Sequence, residues 1–540
     1  MAKIIGASGK SFTIVASAKP LGGPGVVTVH LHPMAAPKRR VTLSEAKRIQ
    51  PRMEFIPPYY REWVVRGGYV VLPLLLRVRL RPWLPVGIWP VTCKNPEVLA
   101  ALFHQFQQGK IRLLLAFRHS QVDDPLSLSY LFSRLVPQAA RAQGISLKRP
   151  IHSFFMYDRG MPLWAGKWLE WFFASMGGIP VHRGRRLDLK ALKAVREHLV
   201  NGPFPVTIAP EGATNGHGEV ISPLEPGTAQ VAFWGVEDLH KAQRPEPVIL
   251  LPVGLQYVYP DPNWGALHRL LSQLEADCGL TVQSLSTTAT ATDYYQRLLT
   301  LGHHLLGQME QFYARFYGGP WPEMGGGSQK KEPPKELSLE SLTGSQTELP
   351  TELPTELPTA ISPGAIAQRL KPLLNRALEV GEQFFGLPHS GTPESRCRRL
   401  EEAGWMHIYR EDIGHPDHLA PFDRGLANWM AEAASLHLRH MRLVESFVAI
   451  SGNHAGENPS FERLAETSLI LFDLVERVKG TAVPKRPQLG RRQAIITLSQ
   501  PINVSDRWPT YNQSRRTAKA AVEALTHDIQ QALTALIEPT

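Results

Sequence analysis

Residues 111–125 read IRLLLAFRHSQVDDP, and the organisation of the chain can be worked out from them. The apolar run over 111–117 is broken only by Arg112. Such a run predicts a strand buried on both faces, as in a parallel sheet. It ends in Arg118 and His119, and Asp124 and Pro125 follow a few residues later. Proline suits the first helical position and aspartate the N-cap before it. The expectation is therefore a strand end bearing a histidine and a helix start bearing a carboxylate, one tight loop apart. In that arrangement the carboxylate accepts from one ring nitrogen while the other faces a substrate, which is the base-and-orienter half of a catalytic triad. No serine or cysteine nucleophile is needed where the substrate brings its own hydroxyl.

Spacing alone does not select this pair. His-x4-Asp occurs three times, as His119/Asp124, His407/Asp412 and His418/Asp423. Only the first follows a buried-strand signature and precedes a helix start. The plainer alternative makes Asp124 a helix cap and His119 a polar strand end.

A chain of 540 residues has room for several domains, and its net charge of +11 favours anionic partners such as acidic lipid or phosphorylated substrates. Nucleic acid is disfavoured, because aromatics and arginines do not interleave and zinc-finger spacings are absent. Cys93, Cys278 and Cys397 are odd in number and far apart, which argues against a disulfide framework or a metal cluster and for a reducing compartment. The best apolar run, around Tyr69–Leu76, is interrupted by Pro73 and stopped by Arg77, Arg79 and Arg81. It falls short of the ~20 residues of a membrane span.

Residues 1–50, without an acidic residue before Glu45, are expected to form a disordered basic tail, and an organellar transit peptide shares that composition. GASGKS at residues 6–11 is a near miss to a phosphate loop and is rejected, since its first glycine is too close and no strand precedes it. Residues 51–92 mix Tyr, Trp and Arg with leucines, as an element lying at a lipid interface does; proline-broken edge strands are the alternative. From residue 94 strands and helices alternate, so 51–262 is expected to be a layered α/β domain with a largely parallel sheet. Residues 263–322 read as helical. Residues 323–362, with TELP three times in succession at 347–358, read as a linker. Residues 363–486 are helical again, so the helical regions together form a large insertion. Residues 487–540 return to strand and helix patterns that would complete the α/β domain.

Four strand ends carry polar or glycine-bearing punctuation: His119 to Asp124, His182-Arg183-Gly184-Arg185, Pro210-Glu211-Gly212 and Pro252-Val253-Gly254. Ligands gather at the carboxyl ends of parallel strands. With these blocks in this order, as RHSQVDDP, GGIPVHRG, IAPEGATNG and ILLPVGLQY, the sequence resembles the glycerolipid acyltransferase family, typified by 1-acylglycerol-3-phosphate acyltransferases. The resemblance covers roughly residues 96–259, and residues 494–537 are similar to that family's terminal strand and helix.

The resemblance implies roles residue by residue. His119 would be the general base toward a glycerol hydroxyl, oriented by Asp124. Arg183 would bind the acceptor's phosphate, Glu211 and Gly212 would help hold the acceptor, and Pro252 would shape the acyl-donor side. The donor would be a thioester, acyl-CoA or acyl-carrier protein, and the acceptor a glycerophosphate or lysophospholipid; no metal or other cofactor is implied. Such an enzyme would sit peripherally on the cytoplasmic face of a membrane. Three departures stand out: Arg118 replaces the usual asparagine before the histidine, Gln121 the usual serine, and Thr214 the arginine usual after Pro-Glu-Gly. They leave room for an acceptor other than lysophosphatidate. They also leave room for a rival reading, a non-catalytic acyltransferase fold serving as a lipid-binding or scaffolding protein. Thioester hydrolysis is a weaker third reading, and a serine esterase is disfavoured because no G-x-S-x-G elbow is present.

Overall fold

The computed structural model describes residues 3–8, 11–15, 49–50, 55–78, 87–161, 168–182, 188–284, 289–318, 363–410, 412–413, 416–445, 447, 459–481 and 484–539. The chain divides into two units, Met1–Ala46 and Lys47–Thr540. In the first, strands β1 (Lys3–Ser8) and β2 (Ser11–Val15) pair antiparallel, so the stretch expected to be a disordered tail begins with a hairpin. The expected linker at 323–362 lies outside the described residues.

The second unit is built on one eight-stranded sheet. Its strands are β3 (Ile88–Lys94), β4 (Arg112–Phe117), β5 (Phe154–Asp158), β6 (Gly178–Val181), β7 (Val206–Ile208), β8 (Val248–Val258), β9 (Arg492–Leu498) and β10 (Ile502–Asn503). They run in the order β3-β9-β8-β4-β7-β5-β6, with β10 pairing β8. Strand β4 is parallel to both β7 and β8, and all six of its residues are buried. That two-sided burial is why its sequence is an unbroken apolar run. The C-terminal strand β9 lies inside the sheet, parallel to β3 and antiparallel to β8. Because β9 sits between β3 and β8, a segment about 230 residues later in sequence joins two N-terminal strands.

Helices cover both faces. On one, α1 (Glu62–Arg77), α2 (Pro96–Gln107) and the helical run α3 (Asp124–Tyr130) to α4 (Val136–Ala142) close a core that includes Leu76, Phe103, Leu113, Leu115 and Leu131. On the other, α6 (Leu189–Asn201), α7 (Gly227–Lys241) and the closing helix α14 (Arg515–Ala535) pack on Leu114, Ala116 and Leu250. A shorter helix, α5 (Trp168–Ser175), precedes β6. Between β8 and β9 lie α8 (Trp264–Asp277), α9 (Ala291–Tyr317), α10 (Pro363–Phe385), α11 (Pro393–Ile408), α12 (Pro421–Glu445) and α13 (Phe461–Val478). They have apolar cores of their own, one of which takes in Tyr259 from just beyond the sheet. The result is a mixed α/β fold with a mostly parallel sheet and a helical insertion.

Two local expectations change. Pro73, read as an interruption, lies inside α1. An internal proline removes one ladder bond, and the burial of Val65, Leu72 and Leu76 offsets it. The first helical residue of α3 is Asp124 itself, and Asp123 occupies the cap position without a side-chain capping bond. Asp124 is thus no plain helix cap.

Candidate active site

The site is assembled where β4, β7 and β8 end. His119 follows β4, and its Nδ1 lies 3.0 Å from Asp124 Oδ2. An ionised carboxylate only accepts, so Nδ1 carries the proton and Nε2 keeps its lone pair. The Asp124 side chain is fully buried, whereas that of His119 is 23% exposed. Among the described residues Nε2 has no hydrogen-bond partner, so the basic edge of the ring is the one presented to solvent.

Asp124 is held from three sides. Besides His119, its Oδ2 accepts the Gln121 backbone N–H at 2.9 Å, and its Oδ1 accepts the Tyr257 hydroxyl at 2.8 Å. Its neighbour Asp123, also buried, is ion-paired with Arg492 at the start of β9. Burial pushes the Asp123 carboxyl up and Arg492 pulls against that shift. Burial likewise opposes the Arg492 charge, yet Asp123 beside it holds this guanidinium above the ordinary arginine value.

Glu211, in the loop after β7, organises the main chain. Its Oε1 accepts the His119 N–H at 2.8 Å, and its Oε2 accepts the Ser222 N–H at 2.9 Å and the Asn215 amide at 3.4 Å. Burial raises this carboxyl against the pull of Arg118. Gly212 has φ +72, a backbone conformation that favours glycine, and a Cβ there would have to displace the end of the Glu225 side chain. Pro252 is buried in β8 opposite Ala116 of β4.

The Arg118 side chain is engaged with the loop after β7. Its guanidinium is completely buried and donates to the carbonyls of His217 and Val220, both at 2.8 Å, and of Gly218. The Gly216 N–H donates back to the Ser120 carbonyl at 2.9 Å, and Gln121 Nε2 to the Gly216 carbonyl at 3.2 Å. Arg118 and Gln121 therefore tie the histidine loop to the loop after β7. Helix α13 braces that loop from outside: Glu466 accepts the Gly218 N–H at 2.8 Å, and Arg463 pairs with Glu219 at 2.6 Å.

The structure thus brings together His119, Asp124 and Glu211, with Gly212 adjoining Glu211 in sequence, whereas Pro252 lies within the sheet opposite Ala116. Arg183 lies outside the described residues. The rival pair His407/Asp412 does not form this geometry: His407 Nδ1 donates to the Ala403 carbonyl at 2.8 Å, and Asp412 pairs with Arg410. Sequence reasoning missed Tyr257, Arg492 and the clamp at Arg118, none of which has a local motif. A cleft lined by Gln121, Tyr257, Tyr259, Glu466, Arg486 and Arg492, among others, adjoins the pair, but His119 is not in its wall.

Residues 90–255 match the family model described as Acyltransferase. The chain carries an acyltransferase domain of the glycerolipid acyltransferase family over that stretch. His119, Asp124, Glu211, Gly212 and Pro252 all fall inside it; Tyr257, the insertion and β9 fall outside. No curated protein and no solved structure matches the chain.

Proposed function

We propose that this protein is a membrane-peripheral O-acyltransferase that moves a fatty acyl group from a thioester to a hydroxyl of a glycerophosphate or lysophospholipid. The observation that carries this reading is the His119–Asp124 pair, 3.0 Å apart with Nε2 turned outward, inside an acyltransferase domain. A glycerol hydroxyl is a poor nucleophile at neutral pH. His119 Nε2 accepts its proton as the oxygen attacks the thioester carbonyl carbon, and Asp124 steadies the resulting imidazolium. The C–S bond then breaks, an ester remains, and the thiolate leaves to be protonated. Acyl-CoA and acyl-carrier protein both supply such a thioester.

The membrane part of the reading is supported by α1. Trp63, Val70 and Leu74 fall on one outward stripe of this helix, with Trp63 65% and Val70 74% exposed. Trp171 of α5 extends the patch, its ring 6.1 Å from that of Trp63, and Arg61 lies over the same Trp171 ring. Apolar rings beside arginines suit the boundary between headgroups and acyl chains. No helix among the described residues is long and apolar enough to cross a membrane.

The test is to incubate the purified protein with a labelled acyl thioester and a panel of lysophospholipids and glycerophosphates. Formation of an acylated lipid is expected with at least one acceptor, on vesicles of acidic lipid. Thr214, in place of an arginine, favours the rival lipid-binding scaffold, and lipid binding without turnover on any acceptor would establish that rival.

A further inference from the structure

We propose that Tyr257 is a positioning residue for the His119–Asp124 pair, acting through the carboxylate rather than on substrate. This rests on the acyltransferase reading. Tyr257 lies on β8 just beyond the end of the matched family segment, and its hydroxyl donates to Asp124 Oδ1 at 2.8 Å. With that proton on Asp124, the tyrosine oxygen accepts from Ser127 Oγ at 3.1 Å. Arg492 lies over the ring, its guanidinium 4.8 Å from the ring centroid.

The consequence follows from counting donors. Asp124 is fully buried and, among the described residues, receives three: His119 Nδ1, the Gln121 N–H and the Tyr257 hydroxyl. The first two converge on Oδ2, so among the described residues Tyr257 alone fixes Oδ1 and with it the rotation of the carboxylate about its own axis. The phenol is well suited to be a permanent donor. Burial, reinforced by Asp124 and Asp123, keeps its ionisation well above the ordinary tyrosine range although Arg492 opposes this. The other charged groups around the pair are Asp123 and Arg492 beside the carboxylate, and Glu211 and Arg118 behind the His119 backbone.

Removing the hydroxyl has two effects. The carboxylate loses its fixed orientation, which slows the chemical step without touching substrate binding. It also loses one stabilising donor and pulls harder on the Nδ1 proton, which favours the imidazolium and moves the acid limb of the rate profile to higher pH.

The experiment compares full-length wild type with Tyr257→Phe, which keeps the ring over Arg492. Expected are a fall in kcat of about 10–100-fold, the scale of one hydrogen bond to a charged group, a KM for donor and acceptor changed by less than about threefold, and an acid limb displaced upward. A second readout needs no turnover: the downfield proton resonance of the Nδ1–H of His119, assigned by its loss in His119→Ala, should shift in Tyr257→Phe. Should Tyr257→Phe fold poorly, 3-fluorotyrosine at position 257 keeps the ring and strengthens the donor, and the resonance should shift in the opposite sense. An unmoved resonance in both variants overturns the positioning role. Unchanged kcat and acid limb in Tyr257→Phe also overturn it. Absence of turnover in the wild type, with a resonance that still shifts in Tyr257→Phe, would count against the acyltransferase reading alone.

Discussion

Arg492 and Asp123 are 369 positions apart in sequence and form a buried ion pair one residue from the Asp124 carboxylate. The pair fastens the first residue of the C-terminal strand to the loop that carries the candidate base. Breaking one half of a buried pair leaves the other charge uncompensated, typically a loss of about 3–5 kcal/mol, whereas replacing both halves with apolar groups is often nearly neutral. Arg492→Met should therefore lower the denaturation midpoint strongly, and Asp123→Leu combined with Arg492→Met should recover most of it. Equal stability of the single variant and the wild type would show that the pair is not a tie.

The same topology makes truncation after Lys485 severe. Without this segment, β3 loses its sheet partner β9, β8 loses β9 and β10 and keeps only β4 among the described strands, and Ala494, Ile496 and Leu498 leave the core of one face. The fragment 1–485 should be insoluble or lack a cooperative thermal transition, because unpaired edges and exposed apolar surface drive association. A soluble 1–485 fragment that melts like the full chain would contradict the sheet order.

Membrane binding has its own test. Sedimentation with acidic-lipid vesicles should pull the wild type down, and replacing Trp63 and Val70 together by serine should weaken this several-fold, since each loses exposed apolar area to the bilayer. Added salt should weaken it further by screening Arg61 and its basic neighbours. Equal recovery of the wild type in the supernatant with and without vesicles would dispose of the idea.

Acid stability should be governed in part by two buried histidines. His152 accepts from the Tyr69 hydroxyl at Nδ1, 2.8 Å, and donates from Nε2 to the Met176 carbonyl, 2.7 Å. Burial pushes it down to about 4, against the raising effect of the Met176 carbonyl; burial also pushes His440 down to about 4, with His437 adding to the shift. Between that value and the ~6.5 of an unfolded histidine, the unfolded chain binds a proton that the folded chain refuses. Stability is then complete above the upper value and is lost as pH falls through the window, by something on the order of 3 kcal/mol per fully buried group. Melting temperature should fall from pH 7 to pH 5, and His152→Gln should flatten the fall. An unchanged slope in that variant would assign the acid sensitivity elsewhere.

What could be read from the sequence divides along a physical line. Strand β4 was legible because burial on both faces forces an unbroken apolar run, and His119 with Asp124 was legible because they are close in sequence as well as in space. Tyr257, Arg492 and Arg118 were not, because each acts through a partner about 100 or more positions away, and nothing near them in the chain signals it. Helix α1 was hidden by Pro73, whose penalty is met by tertiary burial that local propensity does not include. The one-residue displacement at Asp124 has the same origin: a carboxylate expected to cap its own helix is claimed by a strand, a loop and a histidine.

The most direct test of the account is turnover in His119→Ala, measured beside its melting temperature with a labelled thioester and the best acceptor. A positioned base contributes roughly 10²–10⁴ in rate. The ring is partly exposed and its only hydrogen bond among the described residues is to Asp124, so the fold should survive its removal. The account requires a loss of at least about a hundredfold with melting temperature and vesicle binding retained, while His407→Ala remains active. Full turnover in His119→Ala would contradict it.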